Sequence, residues 1–350
     1  MYLCSMNFVT GSTGLVGAYL ILDLLRRGEK VRALRRSTSS VAVIKRVFSL
    51  YEPERWNDLY NKIEWIEGDL LDFYVLQDAM EGVKDVYHSA GFVSYQPEDY
   101  NSLYEINQKG TENMVNAALA QNIRKFCYVS SISTLGAPDP GRKEHTEEDF
   151  LQKGTANTHY GFSKYYGEQE VWRGAEEGLN MVIVNPSIIL GFGDYSKGST
   201  QLFTKIYDGL KFYTPGTTGF VDVRDVVKIM VVLTKSDISQ QRFIINAVNL
   251  PFREMFALVA KAFNKRPPHI QASYWMGEVY WRLEAIKSAL TGQKALVTKE
   301  TARAGQRQNY YSSARVKEVL DYEFIPIEET VEHIAGVLRK ELSYNSSNSK

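Results

Sequence analysis

The stretch from Asn7 to Arg36 most narrows the folds open to this chain. It reads NFVTGSTGLVGAYLILDLLRRGEKVRALRR, in which an apolar run ends at Thr10 and three glycines follow at positions 11, 14 and 17. A helical pattern of apolar residues comes next and leads into a second apolar run over 31–34. This order predicts a strand, a glycine turn, a helix and a second strand, which is a building unit of parallel sheets.

A unit of this kind can bind an anion. The first glycine permits a tight turn, the second lets backbone N–H groups approach a pyrophosphate, and the third lets the helix pack against the strand. The positive end of the helix dipole then faces the phosphates. A strand-to-helix turn without a ligand is the alternative. The spacing is GxxGxxG rather than GxGxxG, and it resembles that of the extended short-chain dehydrogenase/reductase family.

Two arginines, Arg35 and Arg36, stand at the end of the predicted second strand. NAD-binding units carry an acidic residue there for the ribose 2′-hydroxyl, whereas arginine suits a 2′-phosphate. The sequence therefore predicts NADP(H) in preference to NAD(H). The alternative is that both arginines are solvated cations at a strand end.

Composition excludes several classes of protein. The 350 residues carry 41 Lys and Arg against 41 Asp and Glu, so no net charge draws the chain to nucleic acid or to an anionic membrane. Cys4 and Cys127 are too few for a disulfide framework or a structural zinc site, and we expect no metal. The start lacks the pattern of a signal peptide, and no apolar run is long enough to span a membrane. We expect a cytoplasmic protein.

Two further strand ends support a nucleotide site. Asp69 and Leu70 follow the predicted third strand, and Ala90 and Gly91 follow the fourth, in the segment HSAG. The family resemblance implies that the first pair holds the adenine and that the small residues let the backbone lie close to a cofactor. An aspartate at position 69 or 72 can also serve as a helix N-cap, and the two roles are compatible. The histidine of HSAG is expected to be packed and is not proposed as a catalyst.

The segment YGFSKYYGE begins at Tyr160 and places Lys164 four residues later, on the same face of a helix. Serines at 130, 131 and 133 crowd the end of the predicted fifth strand. A neighbouring ammonium and an oxidised nicotinamide would both favour the phenolate of the tyrosine and lower its pKa. The set resembles the Ser–Tyr–Lys arrangement of short-chain dehydrogenases. We expect Ser131 to be the catalytic serine, with Ser133 as the alternative.

The resemblance implies further cofactor contacts. After the sixth strand, Pro186 and Ser187 match the turn that contacts the nicotinamide in the family, although a proline there can simply end a strand. The catalytic tyrosine and lysine are expected to contact the cofactor as well. The glycine turn contributes the residues Gly11, Thr13, Gly14, Leu15, Val16 and Gly17.

Together these observations predict an α/β fold: a Rossmann-type doubly wound parallel sheet with a smaller, mostly helical C-terminal substrate domain. We expect a dinucleotide-binding domain over 1–190, a mainly substrate-binding region over 191–343 with segments returning to the main sheet, and a disordered tail over 344–350. One helical stripe over 275–290, formed by Trp275, Val279, Leu283, Ile286 and Leu290, is expected to be core packing. Capping of an apolar substrate and contact with a membrane surface are the alternatives.

The residues around the site discriminate among reactions. Ser131 is followed by Ile132 and Ser133, so the Asp–Glu pair of the family's dehydratases is missing. Thr218 and Gly219 stand where its epimerases often carry an arginine for a diphosphate, although an arginine at 224 or 303 or a lysine at 205 could substitute. The pattern most resembles the dihydroflavonol-reductase-like and 3β-hydroxysteroid-dehydrogenase-like branch.

That resemblance implies NADP(H)-dependent reduction of a carbonyl, or oxidation of an alcohol, on a small apolar or ring substrate. The alternatives are a nucleotide-sugar epimerase and a non-catalytic NADP-binding sensor. We expect a small-molecule substrate, no nucleic-acid partner and a possible homodimer.

Overall fold

The computed structural model describes residues 5–152, 157–195 and 198–348, with the backbone alone over 342–348. Its strands alternate with helices through the first half of the chain. The strands are β1 (Met6–Thr10), β2 (Lys30–Arg35), β3 (Ile63–Glu67), β4 (Val83–His88), β5 (Lys125–Val129), β6 (Glu144–His145), β7 (Met181–Pro186), β8 (Ile188–Leu190), β9 (Phe212–Tyr213), β10 (Thr217–Asp222), β11 (Gln241–Ile245), β12 (Val248–Pro251), β13 (Ile270–Gln271) and β14 (Tyr310–Tyr311).

The helices connect these strands and cover both faces of the main sheet. They are α1 (Leu15–Arg26), α2 (Ala42–Tyr51), α3 (Trp56–Tyr60), α4 (Phe73–Ala79), α5 (Tyr100–Tyr104), α6 (Gly110–Ala120), α7 (His159–Glu176), α8 (Thr200–Tyr207), α9 (Val223–Lys235), α10 (Phe252–Ala262), α11 (Tyr274–Thr291), α12 (Lys299–Ala304), α13 (Ala314–Leu320) and α14 (Ile327–Asn348). A π-helical turn, Glu105–Lys109, joins α5 to α6.

The main sheet has seven parallel strands in the order β11-β7-β5-β4-β1-β2-β3. The chain first moves from β1 outward to β3, and then returns past β1 to β4 and continues outward on the other side. The order therefore reverses between β1 and β4, and in sheets of this kind ligands bind in the crevice at that point, at the carboxyl ends of the strands. The predicted fold, a doubly wound Rossmann-type sheet, is confirmed.

Two apolar cores lie on the two faces of this sheet. One is formed with α1, α2 and α9 and includes Leu20 and Val226, and the other is formed with α4, α6 and α7 and includes Met114 and Val171. Because both faces are covered, the strands read as nearly continuous apolar runs, as expected for a parallel sheet. The sheet thus forms the middle layer of three.

A smaller unit follows β7. The strands β12, β10 and β8 form a three-stranded sheet, and α8, α10 and α14 enclose a third apolar core around Phe203, Phe256 and Ile334. The strand β11 lies within this second half of the sequence but pairs in parallel with β7. The two halves of the chain therefore share the main sheet.

Two expectations from the sequence differ from the structure. The stripe of α11 is not core packing, because its five apolar side chains are exposed. The backbone is helical to Asn348, although Ser and Asn are weak helix formers, since extending an existing helix carries no nucleation cost. Residues 349 and 350 of the expected tail lie outside the described residues, as does Cys4. None of the described helices is both long enough and apolar enough to cross a membrane.

The turn between β1 and α1 is held by backbone contacts that only glycine allows. Gly11 has a φ of +66°, and a Cβ atom there would lie 2.6 Å from the backbone nitrogen of Ala90. A Cβ atom on Gly17 would lie 2.3 Å from the carbonyl oxygen of Gly11. The first turn of α1 therefore packs directly on the preceding turn, and the end of β1 packs directly on the end of β4.

We expect Gly17→Ala to lower the free energy of unfolding by about 1–3 kcal/mol, because the added methyl group forces the turn away from α1. Gly336→Ala is the matched control, since Gly336 also lies within a helix and nothing lies within 4 Å of its Cβ position. There the better helix propensity of alanine should leave the protein as stable or up to about 1 kcal/mol more stable. Urea denaturation measures both. Equal stability of the two variants would contradict the packing described for α1.

Candidate active site

A groove of about 250 Å³ opens at the carboxyl edge of the main sheet, between the ends of β1 and β4. It lies at the point where the strand order reverses. Most of the residues predicted to contact a cofactor line it. They include Gly11, Thr13, Gly14, Arg35, Arg36, Asp69, Leu70, Ala90 and Gly91.

The start of α1 forms one wall of the groove. Gly14 is the N-cap residue, and no side chain among the described residues caps the helix. The first N–H groups of a helix have no partner within it, and its dipole favours a negative charge at this end. The turn over Gly11 to Gly14 therefore presents backbone donors and little side chain to the groove, which suits a pyrophosphate.

The far end of the groove carries positive charge. The guanidinium of Arg35 lies 5.2 Å from the centre of the Trp65 ring, and its buried Nε atom has no hydrogen-bond partner among the described residues. Arg36 is exposed beside it, and Ser39 adds a hydroxyl. These donors fit a phosphate group.

The two aspartates after β3 have separate roles. Asp72 is the N-cap of α4, where its Oδ1 accepts a hydrogen bond from the N–H of Val75 at 3.2 Å. Asp69 lines the groove, and its Oδ1 accepts from the N–H of Leu71 at 3.0 Å. The structure therefore assigns capping to one aspartate and leaves the other facing the groove.

Tyr160 and Lys164 lie on one face of α7, beside the end of β5. The Nζ of Lys164 donates to the carbonyl oxygen of Val129 at 2.7 Å and lies 4.4 Å from the centre of the Tyr128 ring. A Cβ atom on Gly91 would lie 3.6 Å from that Nζ. The Nζ of Lys164 therefore lies close to Gly91 in the lining of the groove. The absence of a side chain at Gly91 leaves room for it.

Charges at this site are governed by burial. Burial lowers the pKa of Lys164 to about 7, and the carboxylate of Glu168 opposes that shift. Burial also raises the pKa of Tyr160, and a hydrogen bond with the Ser131 side chain opposes the rise. The sequence led us to expect that a neighbouring ammonium together with an oxidised nicotinamide lowers the tyrosine pKa. In the protein alone the phenol is protonated at neutral pH, because its loss of solvation outweighs the nearby donors.

The serines after β5 fall into two groups. Ser131 interacts with Tyr160, and its Oγ also accepts from the N–H of Ser133 at 3.1 Å. Ser130 turns the other way and donates to Glu168 Oε2 at 2.5 Å. The buried hydroxyl of Ser133 has no hydrogen-bond partner within the described ranges. Of the predicted pair, Ser131 is the serine that meets the tyrosine.

A buried carboxylate below the site was missed from the sequence. Glu168 lies one helical turn after Lys164, and its Oε2 accepts from Thr134 and from Asn185, each at 2.9 Å. Its Oε1 forms an ion pair with Arg242 at 2.9 Å, and both side chains are almost fully buried. The four-residue spacing in YGFSKYYGE was the available signal. That spacing alone could not identify the ion pair, because Arg242 comes from β11, which is far from α7 in the sequence.

Arg242 extends this network to the segment before α7. Its guanidinium also donates to the carbonyl oxygens of Glu147 at 2.7 Å and Asp149 at 3.2 Å. Glu147 in turn accepts from the N–H of Ile244 at 2.8 Å, and burial raises the pKa of its carboxyl group. The ion pair therefore joins α7, the serine turn after β5 and β11.

Two polar residues beside the groove are held by hydrogen bonds within the protein, and the packing expected for the histidine of HSAG is one of these cases. His88 is fully buried between Thr10, 2.7 Å from its Nδ1, and Thr111, 3.0 Å from its Nε2, and burial lowers its pKa to about 3. Asn107, in the π-helical turn, accepts from the N–H of Phe92 at 2.7 Å and donates to Ser163 Oγ at 2.9 Å. It fixes the segment after β4 against α7.

Other predicted cofactor residues lie away from the groove lining. Leu15 and Val16 pack against the core beneath α1, and Gly17 packs on Gly11. Pro186 and Ser187 are buried at the end of β7, where Ser187 Oγ lies 3.3 Å from the carbonyl oxygen of Ile245. Across the described ranges, no group of three or more His, Cys, Asp or Glu side chains is placed to hold a metal ion.

Comparison with known proteins identifies the family. The model of the NAD dependent epimerase/dehydratase family matches residues 7–247. Sterol demethylase protein B of Methylococcus capsulatus is 32% identical over 68% of this chain and 69% of its own length. A putative dihydroflavonol 4-reductase of Synechocystis is 28% identical over 89% of this chain and 88% of its own.

Solved structures agree in fold. The crystal structure of gox2253 superposes with a TM-score of 0.79 at 27% identity, covering 96% of this chain and 98% of its own. UDP-glucose 4-epimerase from Thermotoga maritima superposes with a TM-score of 0.76 at 15% identity, covering 96% of this chain and 99% of its own. At this identity the similarity shows only that the fold is shared. The chain belongs to the NAD dependent epimerase/dehydratase family, and it is an NAD(P)-dependent oxidoreductase.

Proposed function

We propose that this protein uses NADP(H) to reduce a carbonyl group, or oxidise an alcohol, on a small apolar or ring substrate. The observation that carries the proposal is that Tyr160 interacts with Ser131, and that Lys164, one helical turn later, has its Nζ beside Gly91 in the lining of the groove that contains Arg35 and Arg36. Related proteins named as reductases support this reaction. They include the dihydroflavonol 4-reductase of Synechocystis and cinnamoyl-CoA reductase 1 of Petunia hybrida.

Each of the three side chains has a different role in the proposed reaction. A nicotinamide dinucleotide supplies or accepts the hydride at the substrate carbon. Tyr160, protonated at neutral pH, gives its proton to the substrate oxygen in reduction and takes it back in oxidation. The Ser131 hydroxyl orients that oxygen against the phenol. Lys164, fixed on Val129, would hold the cofactor ribose and favour the phenolate when it forms.

The cofactor preference rests on the positive end of the groove. Arg35 has a donor without a partner among the described residues, and Arg36 is exposed at the groove. A 2′-phosphate would accept from such donors in charge-assisted hydrogen bonds. A bare ribose hydroxyl would leave them without a charged partner. We therefore favour NADP(H) over NAD(H).

An aromatic side chain beside the phenol favours an apolar or ring substrate. The rings of Tyr95 and Tyr160 meet edge to face, with their centres 5.9 Å apart. Offset and edge-on contacts of this kind are favourable between aromatic rings. A flat substrate reaching Tyr160 would therefore lie against Tyr95.

Two of the three cations that could bind a nucleotide diphosphate, Arg224 and Arg303, are already engaged, which disfavours an epimerase. Arg224 donates twice to the carboxylate of Asp222, at 2.7 and 3.0 Å. Arg303 donates to Glu278 at 2.9 Å. Both would have to leave these partners to bind a phosphate of the substrate. A reductase needs no such exchange.

Tyr160→Phe should lower kcat for carbonyl reduction by roughly a hundred- to ten-thousandfold, because the proton donor is lost. Affinity for NADPH, measured by fluorescence titration, should change little. Turnover is followed by the absorbance of the reduced cofactor with a panel of ring ketones and aromatic aldehydes. Tyr166→Phe is the control, since Tyr166 lies exposed on the same helix. Full activity of Tyr160→Phe would refute the assigned proton donor.

Arg35→Asp should reverse the cofactor preference. Losing a charge-assisted hydrogen bond of about 1.5–3 kcal/mol should shift the ratio of kcat/KM for NADPH over NADH by roughly ten- to a hundredfold toward NADH. Arg55→Asp changes an exposed cation outside the groove and should leave the ratio as it is. A parent enzyme that prefers NADH would contradict the assignment.

Glu168 is proposed as a positioning residue that supports the charge of Lys164. Its carboxylate raises the lysine pKa against the effect of burial, so Glu168→Gln should lower that pKa further. Ammonium is then lost at a lower pH, and the alkaline fall of kcat/KM should begin at a lower pH. The same substitution leaves Arg242 without its ion-pair partner, which should lower the free energy of unfolding by about 3–5 kcal/mol.

Glu168→Asp keeps the charge and is the matched variant. It should retain the parent pH profile even if the shorter side chain lowers stability. A variant set that changes only the thermal midpoint, with the same pH profile throughout, would assign Glu168 a purely structural role.

A further inference from the structure

Glu300 connects the C-terminal half of the chain to the start of the helix that carries Tyr160. Its Oε1 atom accepts a hydrogen bond from the backbone N–H of His159 at 3.1 Å, although Glu300 lies 141 positions later in the sequence. Tyr160 follows His159 directly in α7. The contact therefore acts on the helical turn in which the proposed proton donor lies.

Other caps of this turn come from the neighbouring sequence. Thr158 is the N-cap residue of α7, and its Oγ1 accepts from the N–H of Gly161 at 2.9 Å. Asn157 Oδ1 accepts from the N–H of Thr158 at 2.8 Å. The first N–H groups of a helix have no partner within it, so each cap satisfies one of them. Glu300 is the cap that comes from a distant part of the chain, and a carboxylate also suits the positive end of a helix.

The side chain of His159 is held as well. Its ring stacks on the ring of Tyr100, with the two centres 3.6 Å apart, and its Nδ1 lies 3.2 Å from the hydroxyl oxygen of Tyr104. The hydroxyl of Tyr100 donates to Glu300 Oε1 at 3.3 Å. The carboxylate thus contacts both the main chain of His159 and the tyrosine that is stacked on its ring.

Glu300 is itself placed by the segment around it. It is the second residue of α12, and a capping box between Thr298 and Thr301 fixes the start of that helix. Before α12, the carbonyl oxygen of Ala295 accepts from Gln96 Nε2 at 2.8 Å. The segment that carries Glu300 is therefore fixed on the segment after β4 as well as within α12.

We propose that Glu300 is a positioning residue, which fixes the first turn of α7 where Tyr160 meets Ser131. It acts through His159 rather than by touching the reacting groups. Without this cap the turn can move, and a displacement of about 1 Å at a reacting group can cost about a hundredfold in rate. The effect on turnover rests on the proposed function, whereas the effect on the turn does not.

A single oxygen atom of Glu300 makes both contacts. Oε1 accepts from His159 and from Tyr100, whereas Oε2 is buried and has no hydrogen-bond partner among the residues that the structure describes. Glutamine keeps one carbonyl oxygen at the same distance along the side chain. Glu300→Gln should therefore preserve the cap, and Glu300→Ala should remove it.

Hydrogen exchange of the full chain, without cofactor or substrate, tests the turn directly. In Glu300→Ala, peptides that contain residues 159–162 should exchange at least about tenfold faster than in the parent protein, because a local cap is lost. Peptides over 166–176, in the later turns of α7, should exchange as in the parent. Glu300→Gln should restore the protection of 159–162. Faster exchange throughout the protein would instead indicate a general loss of stability.

Steady-state kinetics test the effect on the reaction. Glu300→Ala should lower kcat for carbonyl reduction by about tenfold or more, because the proton donor is displaced. The dissociation constant of NADPH should change little, since the glycine turn lies between β1 and α1. Glu300→Gln should keep most of the parent kcat. Glu254→Ala is the matched control, because Glu254 is an exposed acidic residue in the first turn of α10, and it should keep the parent kcat.

Three results would overturn the proposal. Glu300→Ala could show the parent exchange over 159–162. Glu300→Gln could exchange as Glu300→Ala does, although it keeps the acceptor. The turn could exchange faster in Glu300→Ala while kcat stays at the parent value in an enzyme that Tyr160→Phe inactivates, which would make the cap purely structural. A parent protein without carbonyl reduction would refute the proposed function, and the exchange measurements would still decide whether Glu300 fixes the turn.

Discussion

The contact between the backbone of Gly11 and the backbone of Ser89 and Ala90 is the constraint on which the site depends. It brings the ends of β1 and β4 so close that no Cβ atom fits between them. The floor of the groove is therefore main chain, and its donors are fixed by the sheet rather than by flexible side chains. Because α1 packs on the same turn through Gly17, the helix dipole points at this floor.

A second constraint lies beneath the side chains that we propose to be catalytic. Removing two charges from water is costly, so the buried pair Glu168 and Arg242 persists because the carboxylate accepts four hydrogen bonds and the guanidinium donates three. Those partners come from parts of the chain far apart in sequence. The pair thus fixes the serine turn, α7 and β11 relative to one another, and the same contacts hold in place the segments that carry Ser131 and Tyr160.

The sequence predicted the parts of the site that depend on local spacing. The glycine turn and the pair Tyr160 and Lys164 follow from periodicity, because each lies within a single turn or helix. The division between Ser130 and Ser131 is also local in origin, since successive residues of an extended chain point to opposite sides. The sequence could not show which of these two serines faces Tyr160, because that depends on how α7 crosses β5.

Two other outcomes depend on the surroundings of a residue rather than on its neighbours in sequence. The pKa of Tyr160 rises because burial outweighs hydrogen bonding, and burial is a property of the assembled fold. The apolar period over 275–290 predicts a helix, but it does not say which face packs inward. In α11 the contacts of Glu278 and Glu284 decide that, and both of their distant partners come from later in the chain.

The π-helical turn at Glu105–Lys109 has a consequence for how this fold can vary. Its wider ring contains one residue more than an α-helical turn, and this sets the direction in which Asn107 points. Deleting one residue there would restore regular winding and remove the wide turn that directs the side chain of Asn107. The amide would then swing away from Phe92 and Ser163. Insertions and deletions tolerated elsewhere in the loops should therefore be rare in this short segment.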